Sequence, residues 1–265
     1  HPTYYSLQTL KLIKNRVMKS QYSFLTKAPI IEAVLEIKTT PIPVWEENLI
    51  TGKIKSQFST GYTFESENIF QHTMQFQPTL FASENKSVME WNGLRLTSED
   101  KTEIVKVNRD SYVYSRLQPY PGWENFKEKA LAGWNDYRAI AGKQNIKRIG
   151  IRFINKIEFV NDELSELFVS SPRTVGEIDK SISGYFQQNV YSFNKGEYGA
   201  SHIQTIQASD INNQNPSFIL DIDVYTSEVL PLEEKDLNNN LEQIRMFKND
   251  IFFGAIKEKL LERLK

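Results

Sequence analysis

Two pairs of like charges have the spacing of side chains that share one face of a β-strand. Glu32 and Glu36 lie four residues apart in the segment APIIEAVLEIK, and Arg148 and Arg152 repeat this spacing in KRIGIRFINKIEFV. Side chains four apart on a strand project from the same face. If the two strands are neighbours, the charges form a cross-strand ladder of ion pairs or a polar groove for a charged ligand. Two carboxylates could also act as acid and base, but nothing in the sequence marks one as buried.

Arg116 is the fifth residue that we expect at a ligand site. It precedes the aromatic segment QPYPGW, and an arginine beside aromatic rings can stack on a base or hold a phosphate. The same cluster could instead pack the end of a strand onto the following helix. A nucleic-acid-binding sheet would place Arg95, Arg116, Arg148 and Arg152 against phosphates, and its affinity would fall steeply with salt.

The sequence contains no established catalytic, cofactor or metal motif. It has no cysteine and three histidines, which excludes thiol catalysis and disfavours a histidine-rich metal site. It has no glycine-rich nucleotide loop, no GxSxG and no HExxH. Asp221 and Asp223 could hold a divalent metal but lack an evident third ligand, and His72 could meet His202 only across a twofold axis. We therefore predict no catalytic residue, no metal and no cofactor, and the sequence favours a binding protein over an enzyme.

These residues belong to an order of strands and helices that occurs twice. The first half is predicted as a strand at 28–38, a helix at 44–58, strands at 68–81, 87–97 and 102–118, and a helix at 123–140, with a turn at Asn92-Gly93. The second half is predicted as a strand at 147–160, a helix at 161–168, strands at 182–194, 200–209 and 217–226, and one or two helices over 232–264. The sequence thus predicts an α+β protein of two tandem β-α-β-β-β-α halves. They would form one pseudo-twofold antiparallel sheet with helices on one face, like TATA-binding-protein-like and helix-grip folds.

The repeat divides the chain into three segments. We predict an N-terminal extension at 1–23, a first half at 24–143 and a second half at 144–265. Residues 4–20 mix basic and apolar residues at helical spacing, which indicates a helix that docks on the protein or lies on a membrane surface. No apolar run is long enough to span a membrane. The net charge is −1, so bulk attraction to nucleic acid is not expected.

Four segments together resemble a sporadically distributed family of uncharacterised prokaryotic proteins that is known only by a numbered family model. They are APIIEAVLEIK, YSRLQPYPGWENF with the following WNDY, RIGIRFINKIEF, and LDIDVYT, and the likeness runs from about residue 24 to the C-terminus. The resemblance implies a cytoplasmic bacterial or archaeal protein, and it brings no activity or residue role. Patchy distribution is typical of mobile-element, toxin–antitoxin and phage-defence cargo, so the resemblance suggests that a protein partner would be encoded beside this chain in such a locus.

The sequence as a whole favours a non-enzymatic protein-binding module that takes its partner on a concave sheet. The first alternative is a protein or enzyme that binds a small ligand or nucleotide in a polar groove at Glu32, Glu36, Arg116, Arg148 and Arg152. The second alternative is a nucleic-acid-binding sheet, which the near-neutral charge disfavours.

Overall fold

The computed structural model of the chain describes residues 22, 24–58, 60–75, 84–159, 164–172, 184–208 and 215–265, and at 70–75 and 84–88 it describes the backbone alone. The helix predicted at residues 4–20 and the side chain of His72 lie outside the described residues.

In this described part, nine strands form one antiparallel sheet. The strands are β1 (Ile30–Thr39), β2 (Tyr62–Gln75), β3 (Glu84–Ser98), β4 (Glu103–Asn108), β5 (Ser111–Leu117), β6 (Ile146–Glu158), β7 (Phe186–Phe193), β8 (Tyr198–Gln207) and β9 (Ser217–Thr226). Their order across the sheet is β2-β3-β4-β5-β1-β6-β9-β8-β7. The first strands of the two predicted halves, β1 and β6, therefore lie side by side at the middle of the sheet.

Five α-helices accompany these strands in the described residues. They are α1 (Glu47–Gln57), α2 (Trp123–Ala141), α3 (Leu164–Leu167), α4 (Leu237–Ala255) and α5 (Glu258–Leu264). The C-terminal helical segment is two helices because Ile256 is extended and forms a β-bridge with Phe168 between them. None of the helices in the described ranges is long and apolar enough to cross a membrane. The predicted α+β class and the antiparallel sheet are confirmed.

The sheet has two different faces, which we call the helical face and the open face. Leu35, Ile151 and Ile222 are buried on the helical face, and their strands pair in register there. The ring of Tyr112 lies 6.1 Å from that of Trp134 in α2, and the ring of Tyr198 lies 5.4 Å from that of Phe247 in α4, so both long helices pack on this face. The alternate residues of each strand project from the open face, and most of those whose side chains are described are half-buried or exposed.

The first half has one strand more than we predicted. The segment 102–118, predicted as one strand, is the hairpin of β4 and β5, with its turn at Arg109-Asp110. The buried residues are Val105 and Val107 before the turn and Tyr112 and Tyr114 after it. They shift from odd to even positions because the chain reverses between them. A hairpin was therefore the better interpretation of this segment.

The turn predicted at Asn92-Gly93 was also wrong, because β3 continues through these residues. Gly93 pairs with Glu67 on one side and with Asn108 on the other. A Cβ atom at Gly93 would lie 2.0 Å from the carbonyl oxygen of Val107. The glycine is thus required by the close approach of a neighbouring backbone and does not mark a turn.

Candidate functional site

The structure brings Glu36 and Arg148 together on the open face. Arg148 Nη1 lies 2.6 Å from Glu36 Oε2, and Arg148 Nη2 lies 3.2 Å from Asp223 Oδ2, so one guanidinium joins β1, β6 and β9. The guanidinium lies 4.6 Å from the centre of the Tyr225 ring. It also crosses Gly150, where a Cβ atom would come within 2.8 Å of it. Arg148 is thus fixed by two carboxylates and an aromatic ring.

Arg152 is paired on the same face. Its Nε lies 2.8 Å from Asp221 Oδ1 and its Nη2 lies 2.5 Å from Asp221 Oδ2, which is a bidentate pair. These hydrogen bonds raise the pKa of Arg152. Glu32 projects from the same face two residues before Val34, which pairs with Arg152 across β1 and β6. The two predicted pairs therefore share one face, and the arginines are paired with carboxylates of the protein in the manner of an ion-pair ladder.

Arg116 lies on the other face of the sheet. Its register partners are Ala33 and Glu103, both buried on the helical side. Arg116 Nη1 lies 3.1 Å from Glu103 Oε1, which Lys129 of α2 also contacts at 3.0 Å. The sheet thus separates Arg116 from Arg148 and Arg152. The predicted set of five residues does not form one site, and a phosphate-binding surface cannot combine these three arginines.

The remaining predicted positions carry structural roles in the described residues. The carboxylates of Asp221 and Asp223 form ion pairs with Arg152 and Arg148, respectively. No cluster of three or more potential metal-ligating side chains occurs in the ranges that the structure describes. His202 is 4% exposed on the helical face, where burial lowers its pKa and the carboxylate of Asp221 acts in the opposite direction. Its two ring nitrogens have no hydrogen-bond partner among the described residues.

A large groove opens on the helical side, above the point where β1 and β6 meet. Its volume is about 1050 Å³, the scale of a small-molecule site. Its walls are the segment 22–31, the loop 118–123 at the start of α2, the end of β6, and one side of α4. Aromatic rings supply much of the lining: Tyr22, Phe24, Tyr120, Trp123, Phe153, Phe252 and Phe253.

The wall formed by residues 22–31 is attached to the C-terminal helices. The Tyr22 ring stacks on that of Phe253, with centroids 4.5 Å apart, and the Tyr22 hydroxyl donates to Asp250. The backbone N–H of Lys27 donates to the carbonyl of Leu264 at 3.0 Å. The groove is therefore bounded by both ends of the described chain.

Among the described residues that line this groove, four are basic and none is acidic: the basic residues are Lys27, Lys156, Arg245 and Lys248. Lys248 is half-buried, and its Nζ lies 4.3 Å from the centre of the Phe153 ring. In the described part of the chain, its ammonium has no ion pair and no hydrogen-bond acceptor. Burial, with repulsion from Arg245 as the second cause, lowers the pKa of Lys248 to about 7. An anion that binds beside a partly buried amine without a counter-ion stabilises the charged form of that amine.

Arg245 and Trp123 form a fixed rim beside Lys248. Trp123 Nε1 donates to Glu242 Oε1 at 2.9 Å, and Lys127 lies 2.6 Å from the same oxygen. Arg245 lies 3.3 Å from Glu242 Oε2 and 5.2 Å from the Trp123 ring centre. Because Glu242 already balances Arg245, Lys248 is the basic residue of α4 in this groove that has no counter-ion among the described residues.

Lys248 was not identified from the sequence, although a signal was present. The buried stripe of α4 includes Leu241, Ile244, Phe252 and Ala255. Lys248 lies four residues after Ile244 and four before Phe252, so it interrupts this stripe at a core-facing position. A charged residue at such a position needs a partner, and the sequence has no acidic residue three or four positions from Lys248 on α4.

No protein-family model matches the chain. No curated protein matches it. The geometry of the groove is therefore the basis for a functional proposal, and the family resemblance stays a prediction.

Proposed function

We propose that the chain is a binding protein whose groove takes a small amphipathic anion. This ligand has an apolar or aromatic body and one carboxylate or phosphate that contacts Lys248. The observation that carries the proposal is the unpaired ammonium of Lys248 in a groove lined by cations and aromatic rings. Sites for small molecules typically combine such an apolar lining with a few polar groups that fix orientation.

The charge of the groove defines the ligand's head group. Arg245 is balanced by Glu242 and Glu124, whereas Lys248 has no counter-ion among the described residues. An anion beside Lys248 would form a charge-assisted contact and restore its ordinary protonated state. The binding of an anion therefore takes up a proton above pH 7, and we expect affinity to fall as the pH rises.

The lining of the groove defines the ligand's body. Phe153, Tyr120 and Trp123 surround the approach to Lys248, with the Tyr120 and Phe153 rings in an edge-to-face arrangement at 5.8 Å. These rings can cover an acyl chain or a planar ring system. The open face offers no comparable site, because a ligand there would first have to displace Asp221 or Glu36 from an arginine.

Dye displacement with three head groups on one acyl chain tests the proposal. Anilinonaphthalene sulfonate, an aromatic anion, serves as the fluorescent probe, and dodecanoate, dodecyl phosphate and dodecanol compete at one concentration below the micelle concentrations of the anions and the solubility of the alcohol. We expect the anions to displace the dye roughly tenfold better than the alcohol, the equivalent of one charge-assisted contact. The two anions distinguish a carboxylate ligand from a phosphate ligand.

Lys248→Met should remove the advantage of the anions over dodecanol. The matched control is Lys53→Met, which changes an exposed lysine of α1 that does not line the groove. Equal displacement by all three competitors in the wild-type protein would overturn the charge argument. If both lysine variants preferred the anions to dodecanol equally, the anion would bind away from Lys248.

We also propose that the two halves are related by duplication, as in the saddle of TATA-binding-protein-like folds. Support comes from the strand order, which runs β1-β5-β4-β3-β2 outward on one side and β6-β9-β8-β7 on the other. Each side ends with a long helix, α2 or α4, that packs on the helical face. The predicted protein partner and its toxin–antitoxin or defence locus stay predictions.

A further inference from the structure

The outer strand β7 has an unusual edge. In the described part of the chain it pairs with β8 alone and ends the sheet. Its sequence, FQQNVYSF, contains no charge, no proline and no glycine. Phe186 is 66% exposed and Val190 is 69% exposed. Both project from the open face, since their register partners are Thr205 and Ser201 on β8. Such an uncharged apolar edge is a template for another strand.

The opposite edge of the sheet, β2, is protected. It carries Glu65 and Glu67 on the open face and has a bulge between Glu67 and Asn68. Glu67 lies 2.6 Å from Lys106, so its carboxylate is part of a cross-strand ion pair. Charges and bulges are the usual means by which edge strands avoid pairing. The side of the sheet that ends in β2 has five strands, whereas the side that ends in β7 has four among the described residues.

We infer that β7 pairs antiparallel with β7 of a second copy of this chain, which extends the sheet across a twofold axis. An antiparallel pair keeps both sheet faces continuous only if opposing residues project from the same face. A twofold axis at Gln188 satisfies this condition. It sets Phe186 opposite the partner's Val190 and Gln187 opposite the partner's Asn189.

Self-pairing fits the side chains of this strand. The register brings Phe186 against the partner's Val190, and the side-chain amide N–H of Gln187, whose Oε1 accepts from Ser170 and Tyr185, can donate to the partner's Asn189. No like charges meet, whereas self-pairing of β2 would bring glutamates together. The contact is small compared with a standard protein interface, so we expect a dimer of micromolar affinity.

Sedimentation velocity of the full chain over a wide concentration range tests the inference. We expect the sedimentation coefficient to rise with concentration from monomer to dimer. Val190→Lys should hold the protein as a monomer, because two ammonium groups would then face the apolar edge. Thr63→Lys on the exposed edge of β2 is the matched control and should leave the dimer intact. Circular dichroism checks that both variants remain folded.

Disulfide trapping tests the register. The chain has no cysteine, so a single introduced cysteine can form a disulfide only with the same residue of another copy. Gln188→Cys should form a covalent dimer on mild oxidation, and Val44→Cys, at a 58% exposed site between β1 and α1, should not. A wild-type protein that stays monomeric at all concentrations would overturn the inference. A dimer that survives Val190→Lys would overturn it as well, because its contact would lie elsewhere.

Discussion

Two cations on opposite faces of the same sheet lie over aromatic rings, and they differ in whether carboxylates pair with them. On the open face, Arg148 lies 4.6 Å from the Tyr225 ring and contacts Glu36 and Asp223. In the groove, Lys248 lies 4.3 Å from the Phe153 ring and has no carboxylate partner among the described residues. The contrast separates a charge that holds the structure together from one that is available to a ligand.

The carboxylate partners also change the free energy of burying each cation. A cation that is partly buried with its counter-ions regains most of what it loses on leaving water, whereas an unpaired one does not. Proteins retain unpaired buried charges mainly at functional sites. The contrast therefore favours the groove over the ladder as the ligand site, although the sequence pointed to the ladder.

The largest expected effect is on anion affinity. Lys248→Glu should weaken the binding of anilinonaphthalene sulfonate by roughly a hundredfold, because an attraction is replaced by a repulsion. Arg148→Met on the open face should change the affinity by less than about twofold, since Arg148 does not line the groove. Fluorescence titration of both variants measures the contrast. A loss in Arg148→Met without one in Lys248→Glu would mean that the dye binds at the ladder, and a similar loss in both would contradict the distinction between the two sites.

The second effect is on the free energy of unfolding, which should rise when Lys248 is replaced and fall when Arg148 is replaced. Lys248→Met should raise the free energy of unfolding by about 1–2 kcal/mol at pH 6, because it removes an unpaired charge from an apolar wall. Arg148→Met should lower it by about 1 kcal/mol, because Glu36 and Asp223 lose their shared partner. Urea denaturation measures both values. Destabilisation by both substitutions would contradict the distinction between the two sites.

The third effect is the pH dependence of that stability. The pKa of Lys248 is lowered from 10.5 to about 7 in the folded protein. Between these values the unfolded chain binds more protons than the folded one, so this residue makes stability rise with pH over that interval. The stability advantage of Lys248→Met should therefore be largest below pH 7 and shrink as the pH rises above it. Denaturation of both proteins at several pH values tests this, and a constant difference would contradict it.

The smallest effect concerns His202, which is buried and unpaired but lines neither the groove nor the ladder. Burial lowers its pKa below 6.5, so the unfolded chain takes up a proton first as the pH falls. Its contribution to stability is thus present above pH 6.5 and lost as the pH falls below it. His202→Leu should flatten this part of the stability curve and leave dye binding unchanged. A change in dye affinity would connect His202 to the groove.

The sheet could be predicted from the sequence because each strand carries a local signal. The alternation in FILDIDVYT predicted β9 with the bounds 217–226 that the structure shows, and β1 and β6 are neighbours, which was the condition for Glu36 to meet Arg148. Arg116 was misplaced because its face depends on the hairpin between β4 and β5, whose phase change was overlooked.

The groove could not be predicted in the same way. It joins segments that are distant in the chain, such as the Tyr22 region, Phe153 and Lys248, and no local pattern reports their approach. The interruption of the apolar stripe of α4 by Lys248 marks the residue as unusual, but only the packing of α4 against Phe153 shows what surrounds it.

The most direct test of the central claim is an NMR titration of the Lys248 side chain with and without dodecanoate. Selective assignment by comparison with Lys248→Met identifies its Cε–Hε signals. We predict a pKa near 7 in the free protein and a clearly higher pKa in the presence of dodecanoate, because an anion in contact with the amine favours its charged form. An unchanged pKa in the presence of saturating dodecanoate, or one near 10.5 in the free protein, would contradict it.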